Sequence, residues 1–185
     1  MVKYPDQPPI PGGLVLKNIL VIAAVLFCIP LGIILTYEKS TLDHEILLKS
    51  PPEKVFRYLT VPEHMKLWIG GFRDLKSVNE VRGKGARYLL VLELEGTTYR
   101  IEETVTHWDP GKAVGLRMAI PDGFTSDLEY RLHPVDGGTR LSFHQETTYE
   151  NALGKLFSAM INESARVKLE ADLNRLNHLL VSKGS

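Results

Sequence analysis

The chain has 185 residues, enough for one ordinary domain and an additional segment. Its 22 Lys+Arg balance 22 Asp+Glu and no basic stripe stands out, which removes the electrostatic case for nucleic acid as a partner. The single cysteine, Cys28, lies in an apolar run and excludes an internal disulfide, a C-x-x-C pair or a thiolate metal cluster.

The first 13 residues contain "PDQPPIPGG", a Pro/Gly-rich stretch that predicts an extended, flexible tail. A transmembrane helix is expected over 14–37. Within it, Asn18 to Tyr37 are 20 residues without a charge, which at ~1.5 Å per residue span about 30 Å, the thickness of a bilayer's hydrocarbon core. Lys17 and Glu38-Lys39 flank the run, Tyr37 suits the interface, and Pro30 predicts a kink that a membrane span tolerates. A buried core helix would seldom lack a polar face over this length, and no small-residue cleavage site follows the run. The reading is therefore a single-pass membrane protein. Lys3, Lys17 and the amino group stand against Asp6 on one side, with Lys39 and Lys49 on the other. This balance tilts the domain towards the extracytoplasmic side, but large domains cross regardless of such charges, so the side stays open.

Residues 38–185 form the second unit. In "TLDHEILLKS", Leu42, His44, Ile46 and Leu48 alternate with polar residues and predict a strand over 41–50. Ser50-Pro51-Pro52-Glu53 and Thr60-Val61-Pro62-Glu63 each have capping-box spacing with proline at the start. They predict two short helices, divided at Val61 because Pro62 disfavours helical geometry there. The second ends at Trp68, before Gly70-Gly71. Turn signals then divide the chain into strands at about 72–81, 85–95, 98–108, 112–120, 125–134 and 138–148, an antiparallel meander. A long helix is expected from Asn151 to about Ser182. Leu153, Phe157 and Met160 form one stripe and Leu169, Leu173, Leu176 and Leu180 another, nearly half a turn away. One flat surface cannot bury both, so a bend or a change of packing partner is expected near Asn162–Ala165.

This order, together with "HEILLKSPPEKVFRYLTVPEHMKLW", "GKGARYLLVL", "VTHWDPGKAVGLRM" and "LEADLNRLNHLL", resembles the START-like helix-grip superfamily, also called SRPBCC or polyketide cyclase/dehydrase and lipid transport. The likeness covers about 41–182. It implies an α+β fold: a seven-stranded curved antiparallel sheet around a long C-terminal helix, with two short helices after strand 1. It also implies an apolar cavity between sheet and helix, one end of which the two short helices would plug. Fold alone does not assign a task.

No metal-binding or phosphate-binding motif and no nucleophile elbow is present: His44-Glu45 lacks the second histidine of a zinc motif, and the six histidines are scattered. No cofactor and no catalytic set is assigned. Polar residues on apolar strand faces are the useful signal, because an unpaired buried group costs roughly 1–3 kcal/mol. On strand 98–108 the inward parity gives Tyr99, Ile101, Glu103, Val105 and His107; on strand 41–50 it includes His44. Trp68, Tyr88, Tyr99, Glu103, Tyr130, Phe143, Phe157 and Met160 are the candidate ligand-binding residues, with Glu103 and His44 as weak candidates for acid–base chemistry. The expected function is membrane-anchored binding or transfer of a hydrophobic small molecule such as a lipid, quinone or polyketide-like compound. Two alternatives are a cyclase/dehydratase-type enzyme with Glu103 or His44 as general base and tyrosines as electrophilic donors, which needs these groups to converge in the cavity, and an accessory subunit of a membrane complex docking an exposed Leu169–Leu180 surface.

Overall fold

A computed structural model of the chain describes residues 39–182. The elements in order are β1 (Lys39–Leu48), α1 (Pro52–Thr60), α2 (Pro62–Trp68), β2 (Phe72–Ser77), β3 (Arg87–Leu94), β4 (Thr97–Asp109), β5 (Ala113–Ile120), β6 (Phe124–Val135), β7 (Gly138–Tyr149) and α3 (Ala152–Ser182). The strands form one antiparallel sheet in the order β1-β7-β6-β5-β4-β3-β2. The meander β2 to β7 follows from its short connections, and β1 closes on β7 in full register, Lys39 opposite Thr148 and Leu48 opposite Thr139. With the curved sheet set against α3, this is the helix-grip architecture. The expected tail (1–13) and transmembrane helix (14–37) lie outside the described residues. Among the described residues no helix is long and apolar enough to cross a membrane.

The core lies between the sheet's inner face and the second half of α3. Leu173, Leu176 and Leu180 are at most 1% exposed and pack with Leu48, Val55, Phe56, Trp68, Val114 and Leu141. Burial of such side chains stabilises by about 1.5–3 kcal/mol each.

The helix starts differ from expectation. Neither capping box forms: Pro51 is the N-cap of α1 and Val61 that of α2, neither with a side-chain cap bond. The backbone amides of Lys54 and Val55 donate to the Pro51 carbonyl. The Ser50 carbonyl instead accepts from the Thr139 hydroxyl at 2.7 Å, and the Thr60 hydroxyl turns back to the Phe56 carbonyl at 2.8 Å. Val61 is extended (φ −103°, ψ 120°), as the following proline demands, and this breaks α1 from α2.

Strand parity also departs from simple alternation. A bulge between Val105 and His107 shifts the register of β4, so His107 points outward, where its Nδ1 meets Glu129 at 2.9 Å. Trp108 takes the inward position and meets Phe56 edge-on at 5.0 Å. Inward placement of His107 is thus corrected: one extra residue inverts every side chain beyond it. β2 stops at Ser77 rather than 81, because the Asn79 side chain bonds the Arg87 amide and the Gly85 carbonyl and folds the chain into a loop.

Helix α3 is unbroken from Ala152 to Ser182. The change of packing partner expected near Asn162–Ala165 is present without an interruption of the helix. Before it, Leu153, Leu156, Phe157, Met160 and Ile161 are exposed; after it, Leu173, Leu176 and Leu180 are buried. The Leu169–Leu180 stripe is therefore core, and an accessory-subunit surface at that position is ruled out.

Candidate functional site

The grip is not filled. A cavity of about 260 Å³ lies between the sheet and α3. Its sheet wall is built by the inward alternation of four strands: Leu90 and Leu92 of β3, Leu116 and Met118 of β5, Phe124 and Leu128 of β6, and Phe143 of β7. Leu59, Met65, Trp68 and Ile69 close the end covered by α1 and α2. Ala165 and Leu169 supply the α3 wall. Most of this lining is hydrocarbon, and the polar groups that enter it are few.

Trp68 serves as wall and core together. It is 3% exposed, and its indole N–H donates to the Tyr58 carbonyl at 2.9 Å, which fixes the ring. Tyr130 and Phe143 lie side by side on β6 and β7, their rings 5.0 Å apart. Burial, and secondarily the negative charges of Asp172 and Glu103, push the Tyr130 hydroxyl well above its ordinary value, so it stays a protonated donor.

Glu103 is the carboxyl inside the apolar wall. It stands on β4 between Ile101 and Val105, is 4% exposed, and has no side-chain hydrogen bond or ion pair among the described residues. Burial pushes its carboxyl up to about 7. It separates the main cavity from a side recess of about 40 Å³ walled by Tyr88, Val105 and Trp108. A neutral Glu103 offers a hydroxyl donor to a ligand's carbonyl or ether oxygen; an ionised one offers a partner for a cation.

Two further polar groups shape the cavity. At the Phe124 end, Gln145 Nε2 donates to the hydroxyls of Ser126 (2.8 Å) and Thr147 (2.9 Å). On α3, Asp172 is held by the Gly70 amide at 3.0 Å, by Lys168 Nζ at 2.5 Å and by Arg175, whose Nε also donates to the Trp68 carbonyl at 3.0 Å. This clamp ties α3 to the end of α2 and satisfies a carboxylate that is only 5% exposed. Asp172, Lys168 and Ser126 were absent from the candidates read from sequence. Asp172 had a readable signal: it shares the stripe of Leu169, Leu173 and Leu176, where a charge needs partners.

Of the sequence candidates, Trp68, Glu103, Tyr130 and Phe143 line the cavity and Tyr88 lines its recess. Tyr99, Phe157 and Met160 do not. Tyr99 lies two residues into β4, next to the β3–β4 turn, and is 40% exposed; Phe157 and Met160 point away from the sheet, 47% and 64% exposed. His44 is also outside the cavity. It lies on β1, at the other end of the strand order from the β4–β3–β2 edge, and its Nδ1 is 4.0 Å from Glu170 of α3. Glu103 and His44 are not brought together: β7, β6 and β5 intervene. Among the described residues no group of three or more His, Cys, Asp or Glu could hold a metal ion.

The family described as polyketide cyclase / dehydrase and lipid transport matches residues 40–180, nearly the whole domain. No curated protein matches the chain in sequence. Among solved structures, a Chromobacterium violaceum protein is similar over 76% of this chain and 96% of its own, at 20% identity and TM-score 0.63. A Staphylococcus aureus protein of unknown function (79% and 96%, 17% identity, TM-score 0.64) and a Thermus thermophilus protein (79% and 100%, 22% identity, TM-score 0.62) are similar to the same extent. At these identities the likeness shows the fold.

Proposed function

The chain belongs to the polyketide cyclase/dehydrase and lipid transport family, and from that premise we propose that it is a membrane-anchored module that binds or transfers a hydrophobic small molecule. The observation that carries the reading is the cavity itself: an apolar hollow of about 260 Å³ with a single unpartnered carboxyl in its wall. Its size falls just under the ~300–1,000 Å³ usual for small-molecule sites. That suits a compact ligand, or the polar end of a longer one whose tail leaves by the mouth. Glu103 and the Tyr130 hydroxyl would orient the polar end, and each buried Å² of ligand hydrocarbon would contribute roughly 25 cal/mol before the costs of association. The uncharged run Asn18–Tyr37 supports single-pass anchoring; the side of the domain stays open, with Lys3, Lys17 and the amino group leaning it towards the extracytoplasmic side. Anchoring would raise the effective concentration of membrane-derived ligands at the cavity.

The test uses the full chain in mild detergent, with a fluorescent fatty-acid probe and mass spectrometry of co-purifying lipid. Leu128→Trp places an indole in the cavity. The probe should bind the parent chain and bind the variant roughly tenfold more weakly, a difference of about 1.4 kcal/mol. Equal binding, or no binding by either, overturns the reading.

One observation favours a second reading, the cyclase/dehydratase-type enzyme. A carboxyl that titrates near neutrality and a protonated phenol line the same cavity, an acid and a donor suited to proton transfer next to a ligand carbonyl. In this reading Glu103 is the base and Tyr130 the donor, and His44 takes no part. Turnover of a bound ligand that disappears in Glu103→Gln while binding persists would distinguish it.

A further inference from the structure

The first half of α3 is amphipathic in the wrong sense for a helix of a water-surrounded domain. Leu153, Leu156, Phe157, Met160 and Ile161 follow the i, i+3, i+4, i+7, i+8 pattern, which at 100° per residue gathers them on an arc of ~140°. All five are exposed, from 39% at Ile161 to 68% at Leu153. The side turned to the domain carries Gly154, Ser158, Asn162 and Ala165, which are less exposed. Gly154 is pressed against β7: a Cβ there would lie 3.2 Å from the Tyr149 side chain. The small face thus fits the sheet closely and holds the apolar stripe outward. Between Ala152 and Asn162 the only charged residue is Lys155.

Two side-chain bonds fix where this stripe lies. Asn151 Nδ2 donates to the Asp122 carbonyl in the β5–β6 turn at 2.6 Å, and Asn162 Nδ2 donates to the Thr41 carbonyl at 3.2 Å. The stripe therefore crosses the end of the sheet at which β1 begins. The uncharged run ends at Tyr37, two residues before Lys39, and two residues of chain reach at most ~7 Å. If the run crosses a bilayer, as proposed above, the start of β1 stands at the lipid surface and the stripe stands beside it.

We propose that Leu153–Ile161 of α3 is a lipid-docking surface, its apolar stripe set into the acyl boundary of the bilayer that anchors the chain. A helix lying in the interface buries such a face by ~5–10 Å. Phe124, Ser126 and Ala165 border the cavity at the same end of the sheet. Docking therefore brings the cavity to the lipid surface, and an apolar ligand passes between the two with little exposure to water. This inference rests on the anchored-binding reading and adds to it the surface through which the ligand enters.

The experiment uses the full chain reconstituted in phosphatidylcholine vesicles with plain or brominated acyl chains. Phe157→Trp puts a reporter on the stripe. Val81→Trp, at a 47% exposed position in the β2–β3 loop, puts one away from it. Brominated lipid should quench the added Phe157→Trp emission roughly twofold or more, as expected for a ring within ~10 Å of the acyl boundary, and leave the Val81→Trp emission unchanged. Equal quenching at both positions overturns the proposed surface. So does an unquenched Phe157→Trp, including one whose emission is blue-shifted by a second copy of the chain. Alkaline carbonate separates the two failures: a retained chain with an unquenched reporter loses only the docking surface, whereas a released chain loses the anchor and the docking surface together.

Discussion

Glu103 makes the stability of this domain depend on pH in a direction unusual for a carboxyl. Most native carboxylates gain partners on folding, and proteins lose stability as these are protonated. Glu103 gains none among the described residues and loses water, so its pKa rises from 4.5 to about 7. Between those values the unfolded chain releases a proton that the folded chain keeps. The contribution of Glu103 is therefore most favourable below about pH 4.5, falls as pH rises through the window, and levels above about 7. At 1.36 kcal/mol per unit the loss is ~3 kcal/mol. Glu103→Gln has the same shape and cannot ionise. Its stability should match the parent near pH 4.5 and exceed it by ~3 kcal/mol at pH 8, on the order of 10 °C in Tm for a domain of this size. Thermal unfolding of the full chain in detergent, followed by far-UV circular dichroism at half-unit pH steps, measures the difference. A gap that stays constant from pH 4.5 to 8 would refute a desolvated, unpartnered Glu103, and with it the polar anchor of the proposed ligand site.

Three other variants probe the frame that holds the cavity open. Gly71→Ala should destabilise by more than ~2 kcal/mol in denaturant unfolding, because Gly71 has φ +77° and an added Cβ would overlap the Glu93 carbonyl oxygen; an unchanged midpoint would refute this. Leu176→Ala removes a fully buried α3 side chain and should cost ~2–5 kcal/mol, read from the same curves. Asp172→Ala strands the Gly70 amide and separates Lys168 and Arg175 from their shared carboxylate. Both cations can regain water, so the expected loss is only ~1–3 kcal/mol. It should appear first as faster hydrogen exchange at Gly70 and along α2, and uniform exchange across the domain would argue against the clamp.

The meander was legible because its signals are local. Asp109-Pro110-Gly111, Pro121-Asp122-Gly123 and Asp136-Gly137-Gly138 each end one strand and start the next, and all three turns fall between strands in the structure. Leu42 and Leu48, which alternate with polar residues along the first strand, are both buried. The candidate site was legible in part. Glu103 stood out as a charge at inward parity, and Trp68, Tyr130 and Phe143 as bulky groups on walls. The same parity rule misplaced His107, because alternation carries no mark of the bulge that opens between Val105 and His107 where β4 pairs with β5. Phe157 and Met160 form a sound apolar stripe, but periodicity cannot say which side of a helix meets a sheet.

The amino-acid sequence by itself determined the order of elements, the split between α1 and α2 at Val61, and the two separate apolar stripes of α3. These depend on proline stereochemistry, turn residues and side-chain period, which act over a few residues. Only the tertiary structure decided that the Leu173–Leu180 stripe enters the core while the Leu153–Ile161 stripe stays outside, that Asp172 becomes a clamp, and that Glu103 faces a void while His44 does not. Each of these is a question of which distant surface a side chain meets. The answer comes from closing a curved sheet around one helix, where fit over the whole interface outweighs any local preference.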